Sequence, residues 1–420
     1  MLNMITYRTH PVTRPILLAF VLGWVTFSFS IFNVGPYSIT ILLLASLVFL
    51  ARCDGLALST FIIITLITSS LLLATSVSLL SSSNLKTTLT HTIQNVLGII
   101  VLWGSARIDY RTHLAWFRNC FLFFASIVLL FGIYQLLARA YDLPLAFLPV
   151  TNLQIGADEG KQRGYSNPYM GSGPFTRGSS FFPEPSDFGY FMLWAFSLGH
   201  ALRKGRARNI MVSLGVTGIL ASQSFGALIG LIFLVLLLPI FGRSPGFVLK
   251  VAVLFGTIWW IVNAVTPQVT NTFLTRAENI SYGGLGYLEA TGRFADFWDN
   301  LRVVGERPLL GHGIASYKQV AGMNILSSAY MLLLMERGMV GTCLFLAPFL
   351  LALFEIGVLR TRRNEIEETA LCLLLSSLFG MSVFATVSFP PLYFSLGLAS
   401  WCMAQPVGGR RSGGAAPEEI

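Results

Sequence analysis

Long apolar runs alternate with short polar breaks along almost the whole chain, and many of the runs are as long as a bilayer crossing. A spanning helix needs about 20 predominantly apolar residues. The runs 15–33, 36–51, 56–80, 91–106, 117–141, 186–202, 209–222, 224–241, 247–266, 326–356, 368–388 and 390–405 predict about 12 such helices. Ser222-Gln223-Ser224 is a weak break between two short runs, and 326–356 is longer than one crossing requires. Two polar stretches interrupt the pattern, 142–185 and 267–325. The expected fold is therefore all-α: a polytopic integral membrane protein with two long loops that carry short amphipathic helices. Its parts are N-terminal spans (1–141), a first long loop (142–185), central spans (186–266), a second long loop (267–325), C-terminal spans (326–405) and a Gly-, Ser- and Ala-rich disordered tail (406–420).

Composition agrees with this pattern. Mean hydropathy is +0.69. Charged residues make up 11% of the chain, against roughly 25% in soluble domains. The net charge of +9 is explained by topology, so nucleic-acid binding need not be invoked. Arg8 and Arg14, then Arg107, Arg111 and Arg118, Arg203 to Arg208, Arg360 to Arg363, and Arg410 and Arg411 all fall on one side of a twelve-span arrangement. The positive-inside rule makes that side cytoplasmic, together with both termini. These basic loops can also touch anionic membrane lipids. The first apolar run has no small-residue cleavage site and reads as a signal anchor. None of the five cysteines lies in a long loop, so no disulfide or metal-ligand spacing is expected there.

The first long loop ends in Arg177-Gly178-Ser179-Ser180-Phe181-Phe182-Pro183-Glu184-Pro185. A proline suits the first helical position, so Pro185 is expected to open the next span. Glu184 at that opening either complements the helix dipole or serves as a general base. Arg177 lies just before the apolar pair. There it either snorkels to the interface or binds a diphosphate with its planar fork.

In the second long loop Phe294, Phe297, Trp298, Leu301 and Val304 recur at helical spacing. They predict an amphipathic helix lying in the membrane interface, with Thr291 as its N-cap. Arg293 then falls in the first turn, where a cation opposes the helix dipole. Local conflicts of this kind mark functional sites, so Arg293 is the first candidate for an active role. Arg302 is nine residues on and about half a turn out of phase. It also suits the helix end, where a cation is favourable. Pro308-Leu309-Leu310-Gly311-His312-Gly313 is a glycine turn through which backbone can approach a ligand, and His312 within it is either a general base or simply solvated.

The segments Gly292-Arg293-x4-Trp298, Pro308-Leu309-Leu310-Gly311-x-Gly313 and Glu336-x-Gly338-x-x-Gly341, in this order, resemble the O-antigen ligase and polysaccharide polymerase superfamily of bacterial inner membranes. Arg302 and Gly313 reproduce an arginine, ten residues, glycine spacing of the polymerases, and Phe181-Phe182-Pro183-Glu184-Pro185-Ser186 is similar to a segment of theirs. The resemblance is clearest over 175–345. The ligases carry a His-Asn pair where this chain has Ser327 and Ser328, and a Ser-Arg-Gly where it has Ser224-Phe225-Gly226. Losing the histidine turns the reading towards polymerase and leaves the general base open.

The resemblance implies a glycosyltransferase that moves a glycan chain from polyprenyl diphosphate onto the next lipid-linked repeat unit at the periplasmic face, without metal or cofactor. Arg293, Glu184 and His312 are the expected catalytic residues, and Arg177, Arg293 and Arg302 the diphosphate ligands. Trp298, Tyr330 and Ser327 are the expected glycan or acceptor contacts. A flippase and a chain-length regulator are the implied partners. The alternative is a ligase that transfers finished glycan to a lipid A core or a protein. A transporter or flippase is the reading from another class. The charged residues lie in loops or at span ends in this sequence reading, which disfavours transport.

Overall fold

The fold was derived from a computed structural model. It describes residues 13–26, 30–34, 37–40, 45–52, 57–80, 85–141, 143–145, 180–182, 185–202, 205–237, 249–260 in part, 295–314, 316, 328–360, 363–383 and 389–405. These residues are overwhelmingly helical. The helices are α1 (Thr13–Val25), α2 (Leu58–Leu80), α3 (Leu85–Ser105), α4 (Tyr110–Ala140), α5 (Pro185–Ala201) and α6 (Arg206–Ser222). They continue with α7 (Phe225–Leu237), α8 (Ala295–Glu306), α9 (Ala329–Leu353), α10 (Glu365–Val383) and α11 (Pro390–Met403). Six residues of π-helix, Phe354–Leu359, extend α9.

Three helical segments, Leu58–Leu80, Tyr110–Ala138 and Ala329–Leu359, are long and apolar enough to cross a membrane. Only about a third of each is buried by the rest of the protein. Large side chains such as Leu72, Phe123, Leu130 and Leu350 remain uncovered. In water such surfaces would be a liability; in a bilayer they are solvated by lipid. The predicted span 36–51 is different. There Tyr37–Thr40 pairs antiparallel with Ser30–Val34, with Val34 opposite Tyr37, and Val48–Arg52 forms a 3-10 turn. Aromatic and β-branched residues on both sides of Gly35-Pro36 favour a hairpin over a helix.

Helices α5 and α11 form the centre. From Phe188 to Ala201 every residue of α5 is buried, and so is every residue of α11 from Pro390 to Cys402. A helix that is apolar all round belongs inside a bundle. Aromatic rings join them to α1 and α4: Trp24 meets Trp194 edge-on at 4.8 Å, and Phe20 stacks on Phe394 at 4.8 Å. Small residues bring α5 and α6 close, because a Cβ at Gly215 would lie 2.6 Å from Phe196 Cβ. Buried hydroxyl pairs, Ser197 with Ser376 at 2.6 Å and Thr60 with Ser400 at 2.7 Å, tie helices laterally.

One end of the bundle is held by ion pairs. Arg360 bonds Glu367 at 2.5 Å and Glu355 at 3.0 Å, and also donates to the Gln405 carbonyl at 3.1 Å. Arg363 pairs with Glu368, Arg118 with Glu365, and Arg111 donates to Gln405 Oε1. The basic loops that the sequence assigns to one face, 107–118 and 360–363, thus meet at one end. Burial alone would weaken the Arg360 charge, but its bonds to Glu367 and Glu355 outweigh that and raise its pKa. Replacing Arg360 by Gln leaves two carboxylates without their cation, at a cost of about 3 kcal/mol. The detergent-solubilised Arg360→Gln protein is expected to melt several degrees below wild type, whereas exposed Arg206→Gln leaves the melting temperature unchanged.

Candidate functional site

At the opposite end, two of the glycine segments singled out in the sequence interlock. Ser328 caps α9, its Oγ accepting from Tyr330 N at 3.2 Å. The helix runs through an apolar stretch to Glu336-Arg337-Gly338 and breaks there, because Gly338 has φ 61° and ψ −171°. Only glycine adopts that conformation readily. In an unbroken helix Met339 N would donate to Met335 O and Val340 N to Glu336 O. Instead, Met339 N donates to Pro308 O (2.8 Å) and Val340 N to Leu309 O (3.1 Å). The abandoned carbonyls of Met335 and Glu336 accept from His312 N (2.8 Å) and Gly313 N (2.9 Å). Two helical bonds are replaced by four bonds to one loop.

The glycines make this approach possible. A Cβ at Gly311 would lie 2.5 Å from Gly338 N and 2.7 Å from Arg337 N, and one at Gly338 would collide with the Leu309 carbonyl. Gly311 and Gly313 both have positive φ, at 71° and 94°. On its other side the loop is seated on α2: Ser78 Oγ donates to Ile314 O at 3.0 Å, and Ile314 N donates to Ala74 O at 3.4 Å.

Arg337 stabilises the lower half of the break. Its side chain is fully buried. Nη1 donates to Ser70 Oγ on α2 (3.0 Å) and Nη2 to Asn95 Oδ1 on α3 (2.8 Å). The guanidinium lies 4.9 Å over the Phe345 ring. Ser70 Oγ in turn donates to Gly341 O (2.6 Å), and Tyr393 Oη donates to Asn95 Oδ1 (3.2 Å). One cation therefore gathers α2, α3, α9 and α11. This corrects the expectation that charges sit only in loops or at span ends: Glu336 and Arg337 are buried within α9. The sequence signal was a charged pair inside the overlong run 326–356, which the helix break accounts for.

The expected site residues are distributed unevenly. His312 is buried, with Nε2 2.9 Å from Val303 O. A carbonyl only accepts, so Nε2 carries hydrogen and the ring is pinned to the end of α8, which is not the setting of a solvated loop histidine. Arg302 is exposed on α8. Leu301, Val303 and Val304 of α8 pack against Met331, Leu332 and Met335 of α9. That part of the predicted interfacial stripe therefore covers protein. Tyr330 is half-buried and donates to Leu378 O on α10 at 2.6 Å, a tie between helices. Pro185 opens α5 as expected. Trp298 lies within α8, although its side chain falls outside the described residues, as do Arg177, Glu184, Arg293 and Ser327. Asn300, which carries no sequence motif, is buried on α8 with no hydrogen-bond partner for its amide among the described residues.

The interlock makes Gly338 intolerant of any side chain. Gly338→Ala is expected to cost at least about 2–4 kcal/mol through a strained φ and a clash with backbone. Its amides at 312, 313, 339 and 340 should exchange hydrogen much faster than in wild type. Unchanged protection at those four positions would show that the break does not depend on glycine.

Comparison of this chain with protein families, with curated proteins and with solved structures finds no match.

Proposed function

We propose that the chain is a polysaccharide polymerase of a bacterial inner membrane, with about 12 spans and both termini cytoplasmic. It joins repeat units carried on polyprenyl diphosphate at the periplasmic face. The observation that carries this reading is the interlock itself. Pro308–Gly313 and Glu336–Gly341, two of the segments behind the resemblance, are 23 residues apart between Gly313 and Glu336 and yet share four backbone hydrogen bonds. Their sequence patterns therefore have one physical explanation, a loop inserted into a split helix.

In the proposed reaction a sugar hydroxyl of the incoming lipid-linked unit attacks the anomeric carbon of the growing chain. A glycosidic C–O bond forms, the bond from that carbon to the diphosphate breaks, and polyprenyl diphosphate leaves with the electron pair. Arg177 and Arg293 stabilise the charge developing on the leaving diphosphate, and Arg302, exposed on α8, is the third proposed diphosphate ligand. Glu184 or His312 receives the hydroxyl proton. For His312 the Nε2–H bond to Val303 leaves Nδ1 as the nitrogen with a lone pair. Trp298, Tyr330 and Ser327 complete the proposed glycan contacts.

The buried Arg337 and the broken helix favour a second reading, because transporters use both devices around midplane ion sites. Their half-helix ends, however, are left open for the ion. Here the donors at Met339 and Val340 and the acceptors at Met335 and Glu336 are taken by the loop. That argues for a fixed scaffold. A ligase that transfers finished glycan to lipid A core or protein remains the nearest alternative chemistry.

Arg293→Ala and Arg177→Ala are each expected to abolish chain extension while the protein accumulates in the membrane at normal levels. Wild-type polymer lengths in both would sink the assignment. A deletion strain separates the two transferases: loss of a polymerase leaves single repeat units on the acceptor, and loss of a ligase leaves full-length chains on the lipid carrier.

A further inference from the structure

The opening of α5 is flanked by two turns that hold non-glycine residues in the left-handed region. Ser180 has φ 52° on one flank and Gln223 has φ 47° on the other. Such residues are uncommon and cost stability, and they concentrate at binding and catalytic sites. The Ser180 turn sits against α4, where Ser180 Oγ donates to Val128 O (2.7 Å) and Gln135 Nε2 donates to Ser180 O (3.1 Å). Gln223 ends α6 and leads into α7. A Cβ at Gly189, one turn into α5, would lie 2.8 Å from Ser222 Oγ and 3.2 Å from Ser224 Cβ, so this second turn packs directly on α5.

Both flanks also bury amide atoms that lack partners among the described residues. Gln223 is 3% exposed, and neither its Nε2 nor its Oε1 is hydrogen-bonded. Gln135 is 0% exposed and its Oε1 has no partner. Buried polar atoms are nearly always bonded, and an orphan destabilises the fold. At position 223 a glycine would remove the backbone strain and the orphan amide together, and glycine is the usual residue after a helix end. Retaining glutamine there makes sense if the amide has work outside the fold.

We propose that Gln223 and Gln135 flank a sugar-binding subsite at the first turn of α5. An amide offers a donor and an acceptor side by side, which matches neighbouring hydroxyls on a neutral sugar; an anion would call for donors only. Gln223 is the specificity-determining contact, and the ligand is the glycan portion of the repeat unit. Both amides are closed to solvent, so the ligand reaches them when the 222–224 turn moves, and the strain held at Gln223 favours that motion. This assignment rests on the reading of the chain as a glycan polymerase.

The test uses the full chain purified in detergent, as wild type, Gln223→Gly and Gln223→Asn. Three quantities are measured: melting temperature, KM for the lipid-linked repeat unit, and Kd for the same oligosaccharide freed from its carrier by mild acid. Gln223→Gly should melt above wild type while KM and Kd each rise about tenfold, with kcat little changed. Gln223→Asn keeps an amide and tolerates the left-handed backbone, so it should recover part of the affinity. A Gln223→Gly protein with wild-type Kd overturns the subsite, as does one that melts below wild type, which would give the glutamine a structural role. Wild type that binds the free oligosaccharide but does not extend the lipid-linked unit removes the polymerase reading and leaves the subsite standing. Wild type that binds no oligosaccharide overturns the subsite.

Discussion

At Gly338 a helix of membrane length gives up two of its own hydrogen bonds and makes four with a loop, donating two and accepting two. In a low-dielectric setting an unpaired backbone group costs several kcal/mol, so a helix cannot be opened unless every freed donor and acceptor finds a new partner at once. The loop 308–314 meets that demand group by group. Its insertion in turn requires that two backbones touch, which accounts for glycine at 311 and 338, while glycine at 313 lets the loop approach Ser78 of α2. The position of α8 follows as well, because His312 hydrogen-bonds Val303 and α8 lies against the first half of α9.

The two ends of the bundle are held by different physics. At one, charged side chains on α4, on the extension of α9, on the segment after it and on α10 form ion pairs, which are adjustable because long side chains can shift with their partners. At the other, backbone meets backbone over glycines, and nothing there can shift without breaking several bonds together. A rigid end suits residues that must be held in place for chemistry.

Much of the helical framework was legible because apolar runs leave a strong periodic record. Predicted 56–80, 186–202 and 390–405 correspond closely to α2, α5 and α11. The hairpin Ser30–Thr40 was not, since Ile, Phe, Tyr and Val serve a membrane helix and a strand about equally well. The interlock was half legible: the glycine segments stood out, but nothing local says that residues 311 and 338 touch. Arg337 was masked by its own neighbours, because one charge pair in a long apolar run scarcely changes an average over about 20 residues. Gln223 read as a feeble boundary. Its burial and backbone strain are properties of the folded turn and have no sequence signature.

The buried guanidinium of Arg337 also bears on how the chain enters its membrane. A segment carrying Glu336 and Arg337 is a poor candidate for independent insertion, because a lone cation at such depth is costly. Its partners, Ser70 and Asn95, lie 267 and 242 residues earlier in the chain. They have left the ribosome long before α9 emerges. The early helices α2 and α3 thus carry, before the late helix is made, the two acceptors that its arginine needs. Assembly of this bundle has a direction, written into the chain by the order of one arginine and its two distant acceptors.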